Sequence, residues 1–366
     1  MTKAAELAKM GEVLTNSQIG GRRNLIINGA MQLAQRGTSS TGLGASSTYA
    51  TVDRFNHAFA STAGRLTSEQ VADGPSGFAN CLKLSCTTAD TSIAADEAAL
   101  IEQKLEGQDL QQLKKGTSDA EKVTVSFYVK GNASATYTVE LEDNDNARFA
   151  SQEFSVTTSW TRVVKTFVAD TTGTLNDDNG VSLSLKFWLH GGSTYTGGTH
   201  VSNTWGTTTN ARLSDNQTSF FDSTDRTFFI TGVQLEVGEQ ATPFEHRSYG
   251  EELALCQRYF YQAVSGTNKA FGMGTYYVDT LITMVLDFPT TMRAAPSVTV
   301  GTGTAYYVGY SNNQGDSFDT WDNIQRGGVN YIALDVTGDG ASGTTGHAVA
   351  LATQNASAFI NVDAEL

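Results

Sequence analysis

Apolar and polar positions alternate with period two along much of this chain. In residues 123–130 (VTVSFYVK), Val123, Val125, Phe127 and Val129 fall on one face. In residues 181–189 (VSLSLKFWL), Val181, Leu183, Leu185, Phe187 and Leu189 do the same. This is the signature of half-buried strands. Weaker versions recur at 52–59, 81–87, 137–142, 160–168 and 226–237. The run at 24–31 (NLIINGAM), closed by Asn28-Gly29, predicts a strand and turn. Residues 98–105 fit a strand or one helical turn, and 110–113 a short helical stretch. Strands separated by long loops over this region predict a two-sheet antiparallel sandwich.

The period changes to helical at 249–261 (YGEELALCQRYFY). Leu253, Cys256, Gln257 and Phe260 recur at i, i+3, i+4, i+7, with Ser248 and Glu251 placed as a capping box. Residues 1–14 carry Leu7, Met10 and Leu14 at loose helical spacing, which predicts a short docking helix that orders against a partner. The segment 16–21 reads as a linker. Beyond 262 the chain returns to strands at 275–288 (one strand or two), 297–307, 329–336 and 347–351. The segments predict four parts: an anchor and linker (1–21), a sandwich (22–247), a connecting helix (248–262) and a β-rich tip (263–366). The tip has few strong core segments, so its core is expected to be completed by neighbouring chains.

Composition supports this reading. The 48 Thr and 36 Gly beside only 4 Pro suit a β-rich chain with many turns. Charged residues are 17 % and the net charge is −14, a field that repels a phosphate backbone and argues against general nucleic-acid binding. No apolar run is long enough for a membrane helix, and the first residues lack the apolar core of a secretory leader. The expected route is synthesis in a reducing cytoplasm without a secretory signal. Cys81, Cys86 and Cys256 are too few and irregular for a disulfide framework and are expected to be reduced.

Signals of catalysis are sparse. His57, His190, His200, His246 and His347 are scattered, no nucleophile or metalloprotease frame occurs, and no catalytic residue is assigned. No cofactor is expected. The oxygen-rich runs 140–146 (ELEDNDN) and 176–180 (NDDNG) leave room for a structural Ca²⁺, although hairpin turns explain them equally. Two aromatic loops are the candidate ligand sites. Residues 190–212 carry Tyr195 and Trp205. Residues 305–326 carry Tyr306, Tyr307, Tyr310, Asp319 and Trp321 among Asn and Gln. Aromatic faces stack on sugar C–H patches while carboxylates and amides bond the hydroxyls. The same rings could instead plug a sandwich end or fill a subunit interface.

Three segments together resemble tail-fibre proteins of tailed bacteriophages and prophages, especially marine ones. They are 24–37 (NLIINGAMQLAQRG), 52–55 (VDRF) and 231–259 (TGVQLEVGEQATPFEHRSYGEELALCQRY). Members similarly open a jelly-roll, carbohydrate-binding-like domain with the first segment and close it with the last. The resemblance implies an all-β chain: a jelly roll, a short helix and a β-rich tip. It also implies a homotrimeric virion protein. Residues 1–21, with Leu7, Met10 and Leu14, would attach to other tail proteins, and the tip would meet a host surface glycan or protein. A tailspike-like depolymerase and a head-attached fibre are the alternatives. No membrane insertion is implied.

Overall fold

The computed structural model describes Lys3 and residues 23–338 and 340–366. The anchor with Leu7, Met10 and Leu14 lies outside the described residues. The protein is all-β. Two compact units divide it, Met1–Glu252 with Leu366 and Leu253–Glu365.

The first unit is an antiparallel jelly-roll sandwich. Its strands are β1 (Ser39–Leu43), β2 (Thr48–Tyr49), β3 (Asn56–Ala60), β4 (Arg65–Val71), β5 (Cys81–Thr88), β6 (Ala98–Glu106), β7 (Val123–Gly131), β8 (Ala135–Asp143), β9 (Arg148–Val156), β10 (Thr161–Phe167), β11 (Val181–Gly191) and β12 (Thr227–Val237). One sheet has the order β1-β4-β5-β12-β7-β10 and the other β2-β3-β6-β11-β8-β9. The apolar phase of each strand faces the gap between them. Val123, Val125, Phe127 and Val129 of β7 are all buried, as are Leu183, Leu185, Phe187 and Leu189 of β11. Across the gap Phe127 meets Phe154 and Phe187 edge to face, with centroids 5.1 and 4.9 Å apart. Residues 98–105 are a strand, and Gln111–Leu113 is a 3₁₀ turn.

The run 24–31 departs from expectation. It forms no strand, and Asn28 and Met31 take positive φ values of 59° and 55°. The reason is that side chains satisfy its backbone. Asn28 Oδ1 accepts the N–H groups of Gln32 and Leu33, and Gln103 both accepts from Ile27 N and donates to Ile27 O.

A helix, α1 (Ser193–Thr196), follows β11, and α2 (Tyr249–Gln257) follows β12. Ser248 caps α2 as expected, its Oγ accepting from Glu251 N. The helix ends earlier than its apolar spacing predicts. The Tyr259 N–H closes a turn on Cys256 O, and Phe260 begins a strand.

The second unit holds β13 (Phe260–Ser265), β14 (Ala270–Val278), β15 (Leu281–Asp287), β16 (Ser297–Val300), β17 (Tyr307–Ser311), β18 (Gln314–Phe318), β19 (Asn323–Gln325), β20 (Tyr331–Thr337), β21 (Ala348–Thr353) and β22 (Phe359–Asp363). A three-stranded sheet, β13-β22-β16, accompanies a seven-stranded one, β18-β17-β21-β14-β15-β20-β19. Residues 275–288 thus belong to two strands in a hairpin. The expected weakness of this core is corrected. Tyr276, Tyr307, Phe318 and Trp321 join Ile282, Leu334, Val349 and Ile360 in one buried cluster. The aromatic rings supply the volume that the short strands do not. Among the described residues, no helix is long and apolar enough to cross a membrane.

Candidate functional site

The three segments that carried the resemblance meet in one buried polar network. Asn24 donates from Nδ2 to Val233 O and accepts from Ile26 N and Leu235 N. Asn28 Nδ2 bridges Leu33 O and Asp53 O, and Asp53 in turn accepts from Gln35. At the other end of the set, Glu245 accepts the Asn24 N–H at 2.7 Å, while Arg247 donates to Ile26 O, Asn24 O and Glu252. Gln234, Glu236 and Thr242 bond one another. These motifs therefore tie the unit's first described residues to its last strand; they hold the frame and offer no ligand surface. Gly29 is the tightest point. Its carbonyl accepts from Val233 N, and a Cβ there would stand 2.1 Å from Val233 O. Gly29→Ala is expected to cost about 1–3 kcal/mol, read from a lowered urea midpoint at unchanged m.

The predicted site residues separate. In the first loop, Tyr195 packs on Trp188, centroids 4.9 Å apart, and Trp205 donates from Nε1 to Val168 O with the Lys115 ammonium over its ring. The loop folds back over the outer face of the second sheet. Asn203 N bonds Ser151 O, Gly206 pairs with Phe149, and Arg212 pairs with Glu140 and Glu142. Burial opposes ionisation of Glu142, yet Lys186 and Arg212 hold its carboxyl below the usual range. The loop closes this face rather than opening a site on it.

In the second loop, Tyr307 and Trp321 are corrected from ligand faces to core. Tyr307 stacks on Phe318 at 5.5 Å, donates from its hydroxyl to Gly301 O and Phe359 O, and has its pKa pushed up by burial. Trp321 lies edge-on to Phe318. Tyr306 is half-buried against this cluster, and Asp319 accepts the Ala305 N–H at 2.7 Å, holding the turn. Only Tyr310 points outward. Register places it in a row across the seven-stranded sheet, Gly315–Tyr310–Ala350–Met273, continued by Val285–Ala333. Met273, Val285 and Tyr310 are 63, 55 and 54 % exposed.

A different aromatic row stands on the outer face of the first sheet. Lys130 of β7 lies opposite Phe229 of β12, Phe229 opposite Lys83 of β5, and Lys83 opposite Glu69 of β4. The Lys130 ammonium sits 5.2 Å from the Trp160 ring and 4.8 Å from Phe229, and pairs with Asp73. Lys83 pairs with Glu69 at 2.9 Å. On the same face Phe78 meets Tyr128, Phe244 and His246. Half-buried aromatics thus alternate with paired charges along a half-exposed row, beside outward positions (Ser126, Gln234, Glu236) that are covered. The sequence reading missed them. Their signal was phase: Tyr128 and Phe229 are aromatic at strand positions whose neighbours on both sides face the core.

Two further arrangements have chemical interest. Glu97, His190 and Ser219 form a chain, with His190 Nε2 2.9 Å from Glu97 and Nδ1 2.8 Å from Ser219 Oγ. The imidazole is wholly buried with Phe221 against it, and Ser219 Oγ also caps a turn by accepting from Phe221 N. The chain satisfies the polar groups at one end of the sandwich. Separately, a cleft of about 410 Å³ is lined by Gln111, Lys114, Thr117, Asp119 and Thr174 beside Leu110 and Leu175, with no aromatic ring.

The fold and this row define a jelly-roll-like β-sandwich with an aromatic row on one outer face. No family model and no curated protein matches the sequence. Solved structures do. The enzymatically active domain of tailspike protein 4 of bacteriophage CBA120 is 13 % identical over 58 % of this chain, with a TM-score of 0.31; the match spans 21 % of that chain's length. The CBM22-1 xylan-binding domain from Paenibacillus barcinonensis is 12 % identical, covering 60 % of this chain and all of the domain, TM-score 0.29. A family 30 carbohydrate-binding module is 10 % identical over 62 % of this chain and 93 % of the module, TM-score 0.30. No residue role follows from likenesses this distant.

Proposed function

We propose that this chain is a phage tail-fibre subunit that binds a host surface glycan without cleaving it, through the outer face of the first sheet. The row Trp160–Lys130–Phe229–Lys83–Glu69 carries this reading. Its rings offer apolar faces for sugar C–H groups, and its amines and carboxylates are spaced between them for hydroxyls. Each cation is already paired, so the row favours a neutral glycan. The opposite sheet face is taken up by the 191–214 loop; on this one the segment around Thr242–His246 covers Ser126, Gln234 and Glu236, and the row itself stays half-exposed. The virion location and tail attachment rest on the resemblance of the three sequence segments. Glycan-array or calorimetric binding tests the site. Trp160→Ala and Phe229→Ala are each expected to weaken binding about 3–10-fold with the fold retained, as removal of one stacking ring does. Undiminished binding in both variants would refute the site, and new reducing ends after incubation with host polysaccharide would show cleavage instead.

The same reading makes the fibre a homotrimer. Residues 263–366 carry nine acids against three bases, so copies repel one another except through a face without net charge. The Tyr310–Met273–Val285 row is such a face at its centre, where Arg326 neutralises Asp335, and the exposed Asp287 marks its border on β15. Val285→Asp is expected to lower the oligomer's mass in light scattering; a monomeric parent would overturn the trimer.

A further inference from the structure

One cavity of the first unit takes no part in the aromatic row. The cleft of about 410 Å³ lies between the β6–β7 loop, through Leu110, Gln111 and Asp119, and the β10–β11 loop, through Thr174 and Leu175. Its volume is that of a small-molecule site. The two loops are bonded to each other. Gln111 Nε2 crosses to Asn176 O at 3.0 Å, and the Gly116 N–H bonds Asp170 O at 2.9 Å. The buried Lys115 ammonium pairs with Asp143 and Asp170 and donates to Thr172 O and Gly173 O, so it holds the loops and leaves only its stem to the cleft. Gly116, at φ +82°, packs so closely that a Cβ would stand 2.6 Å from Gly173 C. The walls are therefore fixed in advance, and a ligand need not order them.

Leu110 is buried and Leu175 half-buried against the core, which gives the cleft an aliphatic lining. Among the described residues none donates to the Asp119 carboxylate or to Gln111 Oε1, and none bonds the Thr174 hydroxyl. Lys114 at the rim pairs with Glu121 at 2.7 Å, but both side chains are about half in water, so its ammonium turns to a ligand oxygen at little cost. Asp119 and Glu121 against Lys114 leave the rim negative, which disfavours a carboxylated ligand. We propose that this cleft is a second carbohydrate site, separate from the aromatic row, for a single neutral pyranose. The leucines meet the sugar's C–H groups, Asp119 and Gln111 Oε1 accept from its hydroxyls, and Thr174 and Lys114 donate to its oxygens. Without a ring to stack on, its affinity is about millimolar.

Saturation-transfer NMR on the full chain tests this, with the methyl glycosides of glucose, mannose and galactose as probes. At least one is expected to receive saturation from the parent protein, and its uronic-acid counterpart less. Asp119→Ala, which removes an acceptor, is expected to cut the transfer about 3–10-fold. Thr174→Trp, which fills the cleft, is expected to abolish it. Both positions are exposed, so the fold is retained, as near-UV circular dichroism would check. Phe229→Ala, in the aromatic row, should leave the part of the signal that Asp119→Ala removes. No transfer to any of the three glycosides overturns the site, and so does undiminished transfer in Asp119→Ala or in Thr174→Trp. Equal transfer to the uronic-acid counterpart overturns the neutral preference. A signal lost in Phe229→Ala but kept in both cleft variants puts the sugar on the row alone. A signal lost in both cleft variants but untouched by Phe229→Ala upholds the cleft, whatever becomes of the row.

Discussion

Lys115→Met is expected to cost the first unit about 3–5 kcal/mol, the largest single-residue loss we foresee in this protein. The reasoning is electrostatic. Asp143 and Asp170 are nearly inaccessible to water, so neither carboxylate recovers its hydration when the ammonium goes. Removing one partner of a buried ion pair typically costs about 3–5 kcal/mol because an uncompensated charge is left behind. Two backbone carbonyls, Thr172 O and Gly173 O, lose their donor as well. An exposed pair gives the contrast. Lys122 and Glu239 are also in contact, but both side chains are largely in water, and Lys122→Met should change stability by less than about 1 kcal/mol. Urea unfolding of the two variants separates these outcomes. Equal, small losses would show that Lys115 contributes no more than a surface pair.

Acid is the second lever. His57 of β3 points into the sandwich opposite Ile101, among Leu66, Leu84, Leu189 and Phe220. Burial lowers its pKa from 6.5 to about 4; the Thr48 backbone pulls weakly the other way, without reaching hydrogen-bond geometry on either ring nitrogen. The folded protein therefore holds His57 neutral at pH values where the unfolded chain would already be protonated. As pH falls, the unfolded state takes up the proton first, near 6.5. Stability is intact above that value and is lost progressively down to about pH 4. The gap corresponds to about 3 kcal/mol at about 1.4 kcal/mol per pH unit. Chemical denaturation at pH 7.5 and 4.5 should show this loss in the parent. His57→Leu, which places an apolar side chain among apolar neighbours, should remove that share of it. A parent whose stability is flat between those pH values would contradict the placement of a neutral imidazole in this core.

Much of the sandwich was legible because strand period two is a local property. Val123 to Val129 and Leu183 to Leu189 alternate as the fold uses them, and both sets lie between the sheets. The capping of α2 was likewise readable from Ser248 and Glu251, since the cap and its acceptor are three residues apart. The run at 24–31 was not. Its backbone partners are the side chains of Gln103 and Glu252 and the Val233 N–H, far along the chain, and partners at that distance leave no local pattern.

The site shows the same division. An aromatic residue among polar ones reads alike whether it is exposed or plugs a core, so Tyr306, Tyr307 and Trp321 could not be told apart from Tyr310 by sequence. Only packing against Phe318, Ile360 and Val349 assigns Tyr307 and Trp321 to the interior. The oxygen-rich run 140–146 pointed to a cation, but the ion it meets is Lys115, 28 residues before Asp143. The sequence by itself determined the strand phases, the acidic balance, the helix cap and the segments that frame the jelly roll. The tertiary structure decided which aromatics face water, which carboxylates share a charge, and which outer sheet face carries the aromatic row. These depend on contacts between residues distant in sequence, and such contacts follow from how the sheets and loops close on one another.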